Sequence, residues 1–212
     1  MHPQPIRVLL VDDHAIARNG VKLMLGESAQ IRVEGEAGSA QDALALLRGQ
    51  AFDVALVDIT MPGKNGLDLL KTLRAEYPRM QVLILSTYSE EVYAVRALKL
   101  GAAGYLTKDV AADVLLTAVR KAAGGGKYVS PLMMEKLATL VGGAAASGHD
   151  ALSNRELEVM KAIAAGESLV RIAEMFHLSP NTVTTYRTRI LEKMSMTSNA
   201  DLTRYAIEHG LI

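Results

Sequence analysis

Three aspartates, a serine and a lysine stand where short apolar runs give way to polar residues. The run Ile6–Val11 ends at Asp12 and Asp13, and the run Val54–Val57 ends at Asp58. Val82–Leu85 leads into Ser86 and Thr87, and Gly104–Thr107 leads into Lys108. Laid side by side in one direction, these runs would put all five groups on one rim. Clustered carboxylates repel when ionised and are relieved by protonation or by a cation. With oxygen-only ligands and no His or Cys counted in the pattern, Mg2+ is the expected ion. A carboxylate beside such an ion can act as a nucleophile on phosphorus. Asp58, single and followed by a Pro-Gly turn, is the better nucleophile candidate, and the pair Asp12 and Asp13 suits the cation. Lys108 and the Ser86 hydroxyl would bind the phosphoryl oxygens.

The elements needed to position these groups alternate over the first 125 residues. Strand-like runs at Ile6–Val11, Ile31–Glu36, Val54–Val57, Val82–Leu85 and Gly104–Thr107 are separated by amphipathic stretches of helix length. These stretches lie near Ala15–Leu25, Ala40–Arg48, Gly66–Glu76, Glu90–Leu100 and Ala111–Ala122. Such alternation predicts a parallel sheet covered on both faces, and the near-continuous apolar strands agree with burial on both sides. Ligands then collect beyond the carboxyl ends of the strands, where Asp12 and Asp13 stand.

Beyond the alternation, "PLMMEKLATL" predicts one more helix opening at Pro131, and the small, Gly-rich stretch 141–150 predicts a flexible linker. Four further helical segments follow with no convincing strand. The parse is an α/β domain at 1–125, a linker helix and linker at 126–150, and an all-α domain at 151–212. Lys plus Arg equals Asp plus Glu at 23 each, so net charge selects no partner, and the absence of cysteine excludes disulfides and thiolate metal sites. Neither a signal peptide nor a bilayer-spanning run is evident, so the expectation is a soluble, cytoplasmic protein with no membrane partner.

The stretches "LLVDDH", "ALVDITMPGKNGLDLL", "LILSTYS" and "GAAGYLTKD" resemble the receiver domain of two-component response regulators over about residues 6–123. The resemblance implies a flavodoxin-like fold with a five-stranded parallel sheet and Asp58 as the phosphoacceptor. It implies Mg2+ held by the Asp13 and Asp58 side chains and the Thr60 carbonyl, with Asp12 assisting. Ser86 would be the switch hydroxyl, Tyr105 the switch aromatic, Lys108 the phosphate-pairing lysine, and the donor a phosphohistidine on a sensor histidine kinase. Thr60 and Tyr88 occupy the positions that flank the attacking water in receivers, and the bulk of Tyr88 leads us to expect slow self-dephosphorylation. The segment "ARNGVKLML" offers a surface for the kinase or for a second copy.

In "IAEMFHLSPNTVTTYRTRIL" a helix, a short turn and a second helix capped by Ser179 with Pro180 at its first position make a helix-turn-helix. On a 3.6 period Val183, Tyr186, Ile190 and Met194 face inward. The candidate DNA contacts are Asn181, Thr182, Thr184, Thr185, Arg187, Thr188, Arg189 and Lys193, with the threonines suited to base edges or phosphates and the basic residues to phosphates. "LSNRELEVMKAIAAGES", "IAEMFHLSPNTVTTY" and "RILEKM" resemble the LuxR-type helix-turn-helix, and a receiver followed by it characterises the NarL/FixJ-type regulators. That resemblance implies double-stranded promoter DNA as partner, bound as a homodimer. Where the family often has basic residues, Thr184 and Val170 are uncharged. From Leu152 onward seven basic and seven acidic side chains balance, which predicts modest affinity per monomer and a shallow salt dependence.

The expected function is a phosphorylation-controlled DNA-binding transcriptional regulator, not an enzyme beyond its own phosphoryl transfer and dephosphorylation. Phosphorylation would switch dimerisation and promoter binding, with the largest change on the face that carries Tyr105. Three alternatives are a phosphatase of the dehalogenase type, a receiver governed by protein contacts alone, and a helix pair that meets a protein instead of DNA. Against the first, Thr60 stands where such phosphatases carry a second aspartate.

Overall fold

The computed structural model describes residues 4–61, 65–88, 90–141 and 148–212. Strand β1 (Ile6–Val11) is buried over its last four residues and β3 (Val54–Val57) over all of its length, so both need cover on two faces. With β2 (Ile31–Ala37), β4 (Gln81–Ser86) and β5 (Gly104–Thr107) they form one five-stranded parallel sheet in the order β2-β1-β3-β4-β5. Alternate residues point to opposite faces. Val8, Leu10, Leu56, Leu83 and Leu106 pack with Leu25 of α1 (Ala15–Gly26) and with Leu115 and Val119 of α5 (Ala112–Ala123). Leu9, Val11, Val57 and Ile84 are equally buried on the other face, against which lie α2 (Ala40–Leu47), α3 (Gly66–Glu76) and α4 (Glu90–Lys99). Ser39 and Asn65 cap α2 and α3 by accepting from the amides of Asp42 and Leu67. The expected elements are all present, with ends shifted by one residue or so.

The chain leaving α5 turns back along β5. Tyr128 bridges to Gly104 in parallel, its amide donating to the Ala103 carbonyl at 2.7 Å. A Cβ on Gly104 would meet the Tyr128 oxygen at 2.6 Å, so this close approach requires glycine. Ser130 donates to the Glu90 carboxylate at the start of α4 and accepts from the Met133 amide, opening α6 (Pro131–Val141). The chain divides into two compact units, Met1–Ala138 and Thr139–Ile212. Of the expected linker at 141–150, residues 142–147 lie outside the described residues, Val141 ends α6, and Gly148–Ala151 form a 3-10 turn. The expected Pro-Gly turn at 62–63 also lies outside them.

The second unit contains α7 (Asn154–Ala164), α8 (Leu169–Phe176), α9 (Pro180–Met194) and α10 (Asn199–Glu208). Serines 153, 168, 179 and 198 cap them in turn, each accepting from an amide three residues on. Leu157, Met160, Ile172, Val183, Ile190 and Leu202 form the core. Complete burial of each such side chain contributes about 1.5–3 kcal/mol. Arg155 fastens α7 to α8, donating to the Phe176 carbonyl at 2.9 Å with its guanidinium 4.6 Å from that ring. Among the described residues no helix is long and apolar enough to cross a membrane.

Candidate phosphoacceptor site and nucleic-acid interface

The strand order reverses direction between β1 and β3, and a crevice opens at such a point beyond the strand ends. Asp12 and Asp13 follow β1 there, and Asp58 follows β3, its amide donating to the Val11 carbonyl at 2.8 Å. Lys108, just past β5, reaches across, with Nζ 2.6 Å from Asp12 Oδ2 and 2.9 Å from Asp58 Oδ2. Asp12, Asp58 and Ser86 are all buried. Burial pushes the Asp58 carboxyl above its ordinary range, and the charge of Asp12 adds to this, against the opposing pull of Lys108. Burial alone would lower the Lys108 ammonium, but its bonds to Asp12 and Asp58 outweigh that and raise it.

Asp12 is the most tightly held acid. Its amide donates to Ala37, Oδ1 accepts from the His14 amide at 2.8 Å, and its carbonyl accepts from Arg18 Nη1 at 2.5 Å. The loop that carries Asp58 is closed by the Gly66 amide donating to the Ile59 carbonyl at 2.9 Å. The first residue of α3 thus lies against the Asp58 backbone, a role that spacing alone did not reveal. Thr60 is exposed, two residues past Asp58.

A ring nitrogen stands beside these oxygen donors. His14 Nδ1 lies 2.8 Å from Asp13 Oδ1 and 3.6 Å from Asp12 Oδ1, and one potential ligand atom from each of Asp12, Asp13, His14 and Asp58 falls within 4.8 Å of the others. The signal was present in the sequence, since His14 directly follows the acid pair. Among the described residues, buried Asp13 Oδ1 and Asp58 Oδ1 accept no hydrogen bond of normal geometry. Orphaned carboxylate oxygens in a buried cluster fit a small divalent cation, so the residues present suit the ion that the fold implies.

The switch candidates form a second connected set. Ser86 Oγ accepts from the Tyr88 amide at 3.3 Å, and the Tyr105 hydroxyl donates to the Tyr88 carbonyl at 2.7 Å. Tyr105 is 3% exposed, and burial drives its phenol well above the ordinary tyrosine range. The half-buried Tyr88 ring stacks on Tyr93 of α4 at 4.9 Å between centroids.

In the second unit, Asn181, Thr184, Thr185, Thr188 and Arg189 are exposed on α9. The hydroxyls of Thr184, Thr185 and Thr188 donate back to the carbonyls of Pro180, Asn181 and Thr184, which leaves their oxygens as outward acceptors. Thr182 shares the α9 cap with Ser179, their hydroxyl oxygens 2.8 Å apart, and Arg187 Nε donates to Asn199 at 2.7 Å. Lys193 Nζ bonds the buried Glu156 at 2.7 Å, tying the end of α9 to the start of α7. Spacing alone did not expose that role for Glu156, although the Ser153–Glu156 capping box marks the residue. Burial opposes the Glu156 charge, but Lys193 and the Ser153 amide hold its carboxyl below the usual range. A lowered carboxyl contributes stability above its unfolded value, lost as pH falls through the folded one. Glu156→Gln is therefore expected to cost on the order of 2 kcal/mol at neutral pH, the scale of a charged hydrogen bond. The deficit should shrink below about pH 4, as urea unfolding of both proteins at the two pH values will test.

Residues 8–120 match the family described as response regulator receiver domain, and residues 150–206 match bacterial regulatory proteins of the luxR family. The chain is 36% identical over 209 residues to the response regulator GacA of Pseudomonas aeruginosa, covering 98% of each. It is 37% identical to the transcriptional regulatory protein MctR of Rhizobium johnstonii, covering 98% of this chain and 95% of that one. RcsB from Salmonella enterica serovar Typhimurium, solved bound to promoter rprA, shares the fold with a TM-score of 0.72 at 23% identity, over 95% of this chain and 98% of that one. Acid cluster, bridging lysine and helix-turn-helix thus agree with two family matches in the same order along the chain, which belongs to the response regulators that join a receiver domain to a luxR-family DNA-binding domain.

Proposed function

We propose that this protein is a phosphorylation-controlled transcriptional regulator that takes a phosphoryl group on Asp58 from a phosphohistidine of a sensor histidine kinase. The observation that carries this reading is the buried Asp58 with one carboxylate oxygen held by Lys108 and the other without a hydrogen-bond partner among the described residues. An Asp58 oxygen attacks phosphorus, the new O–P bond forms as the P–N bond breaks, and the imidazole leaves. Asp13, Asp58 and the Thr60 carbonyl would hold Mg2+, with Asp12 assisting, and the ion would supply neutralisation of charge on the transferring oxygens. Lys108 then exchanges a carboxylate for a phosphoryl oxygen, and Ser86 supplies a hydroxyl from the neighbouring strand. Movement of Ser86 is transmitted to Tyr88 and Tyr105 through the bonds described above, and the Tyr88 ring, braced by Tyr93, shields the acyl phosphate from water.

The protein's only catalysis is its own phosphorylation and dephosphorylation. The functional division is a receiver at 1–125, a linker at 126–150 and a DNA-binding domain at 151–212, working in the cytoplasm. Phosphorylation favours a homodimer whose α9 helices enter the major grooves of promoter DNA. Asn181, Thr184, Thr185, Thr188 and Arg189 make the outer contacts, with Thr182, Arg187 and Lys193 at their margins. Since Lys193 is already paired with Glu156, a shallow salt dependence of binding is consistent with the balanced charge.

The test uses the full chain with Mg2+ and a small-molecule phosphodonor, read by intact mass and by light scattering beside Asp58→Asn. One phosphoryl group gained by the wild type alone, together with a doubling of mass in solution, is the expected result. No gain in the wild type, or equal gain in Asp58→Asn, rejects the assignment.

A further inference from the structure

We infer that His14 is a nitrogen donor to the cation site and makes that site favour imidazole-binding divalent ions, such as Zn2+, over Mg2+. The inference rests on the proposed cation site and adds to it a ligand and a metal preference. His14 is the N-cap residue of α1, yet its side chain makes no capping hydrogen bond. Its ring instead stands over the acid pair, with Nδ1 2.8 Å from Asp13 Oδ1. That contact is an ion pair between ring and carboxylate, and it also has the spacing of two neighbouring donors to one ion. With metal–ligand distances near 2.1 Å, neighbouring donors in an octahedron stand about 3 Å apart and opposite ones about 4.2 Å. The observed 2.8 Å matches neighbours, and the widest spacing in the four-residue cluster, 4.8 Å, needs a contraction of under about one ångström to close.

Asp58 provides the independent sign of a ligand. Its side chain is 2% exposed, and its Oδ1 has no hydrogen-bond partner among the described residues. The class of ion follows from the chemistry of the donors. Carboxylate and water suit Mg2+, whereas one imidazole nitrogen raises affinity for first-row transition ions with little gain for Mg2+. The His14 side chain is 66% exposed, so its ring can turn onto an ion without disturbing the core.

The experiment compares full-length wild type, His14→Ala and Asp13→Asn by calorimetry with Zn2+, Mn2+ and Mg2+, each metal alone. It adds pulsed electron paramagnetic resonance of the Mn2+ complexes to detect a directly bound nitrogen. We expect His14→Ala to weaken Zn2+ by about tenfold or more and Mg2+ by less than about twofold, with Mn2+ falling between them. The nitrogen modulation should appear in the wild type and vanish in His14→Ala. Absence of that modulation in the wild type, or equal losses for all three metals, overturns the assignment of His14 while leaving the acidic site intact. If no divalent ion binds the wild type, or if Asp13→Asn binds them all as well, both the ligand and the site itself are rejected.

Discussion

Lys108→Met is expected to lower the stability of the receiver unit by about 3–5 kcal/mol at neutral pH in the presence of a chelator, the usual cost of stranding a buried charge. The ammonium bridges Asp12 Oδ2 and Asp58 Oδ2, and both carboxylates are almost wholly buried. Because the folded-state value of Lys108 is raised, its contribution is fully present at neutral pH and is lost only as pH rises through that value. The carboxylates behave oppositely. Asp58 already binds its proton more tightly in the folded state, so its ionisation costs stability as pH rises through the raised value. Without Lys108 that cost grows. The variant should therefore regain much of its deficit on acidification, and also on addition of Mg2+ to a site that now lacks its internal cation. Denaturant unfolding at neutral and mildly acid pH, with and without Mg2+, tests this. A pH-independent deficit would show that the lysine contributes mainly by packing its alkyl chain.

Gly66→Ala should be as damaging for a steric reason. A Cβ built at Gly66 lies 1.9 Å from the Asp58 carbonyl oxygen, 2.8 Å from the carbonyl carbon and 2.9 Å from the Ile59 Cα. All three are backbone atoms, so no side-chain rotation relieves the clash, and either the start of α3 or the loop that carries Asp58 must move. Overpacking of flexible cores costs about 1–3 kcal/mol, and a backbone collision should reach about 3 kcal/mol or beyond. The same displacement takes Asp58 out of line with Asp12 and Lys108, so phosphoryl uptake should fall together with the melting temperature. Retention of both would mean that the loop has slack absent from this arrangement.

The strands and the three aspartates were legible because they rest on local facts. Val54–Val57 has no polar residue to place on a solvent face, and the aspartate that ends it has to sit at the rim. The helix-turn-helix was legible for the same reason, with Ser179 and Pro180 marking where α9 begins. Less visible were contacts made by residues distant in sequence. Lys193 falls on the flank of α9 that suits DNA phosphates, but the chain also brings Glu156 from α7 to within 2.7 Å of it. Gly66 is an ordinary first-turn glycine until the fold lays it on Asp58. His14 was overlooked for another reason: its place beside Asp13 is plain, but whether its ring turns toward the acids depends on a rotamer, which spacing does not encode.

The two borders of the receiver sheet differ in how they are finished. On one side β2 carries Arg32, Glu34 and Glu36 exposed along its length. On the other, Tyr128 pairs with Gly104 and occupies the start of β5. Charge guards one border and the chain itself covers part of the other, two devices that discourage strands of separate molecules from joining into a shared sheet. The receiver unit can thus accumulate with little risk of edge-to-edge aggregation, which leaves its helical faces as the surfaces open to partners.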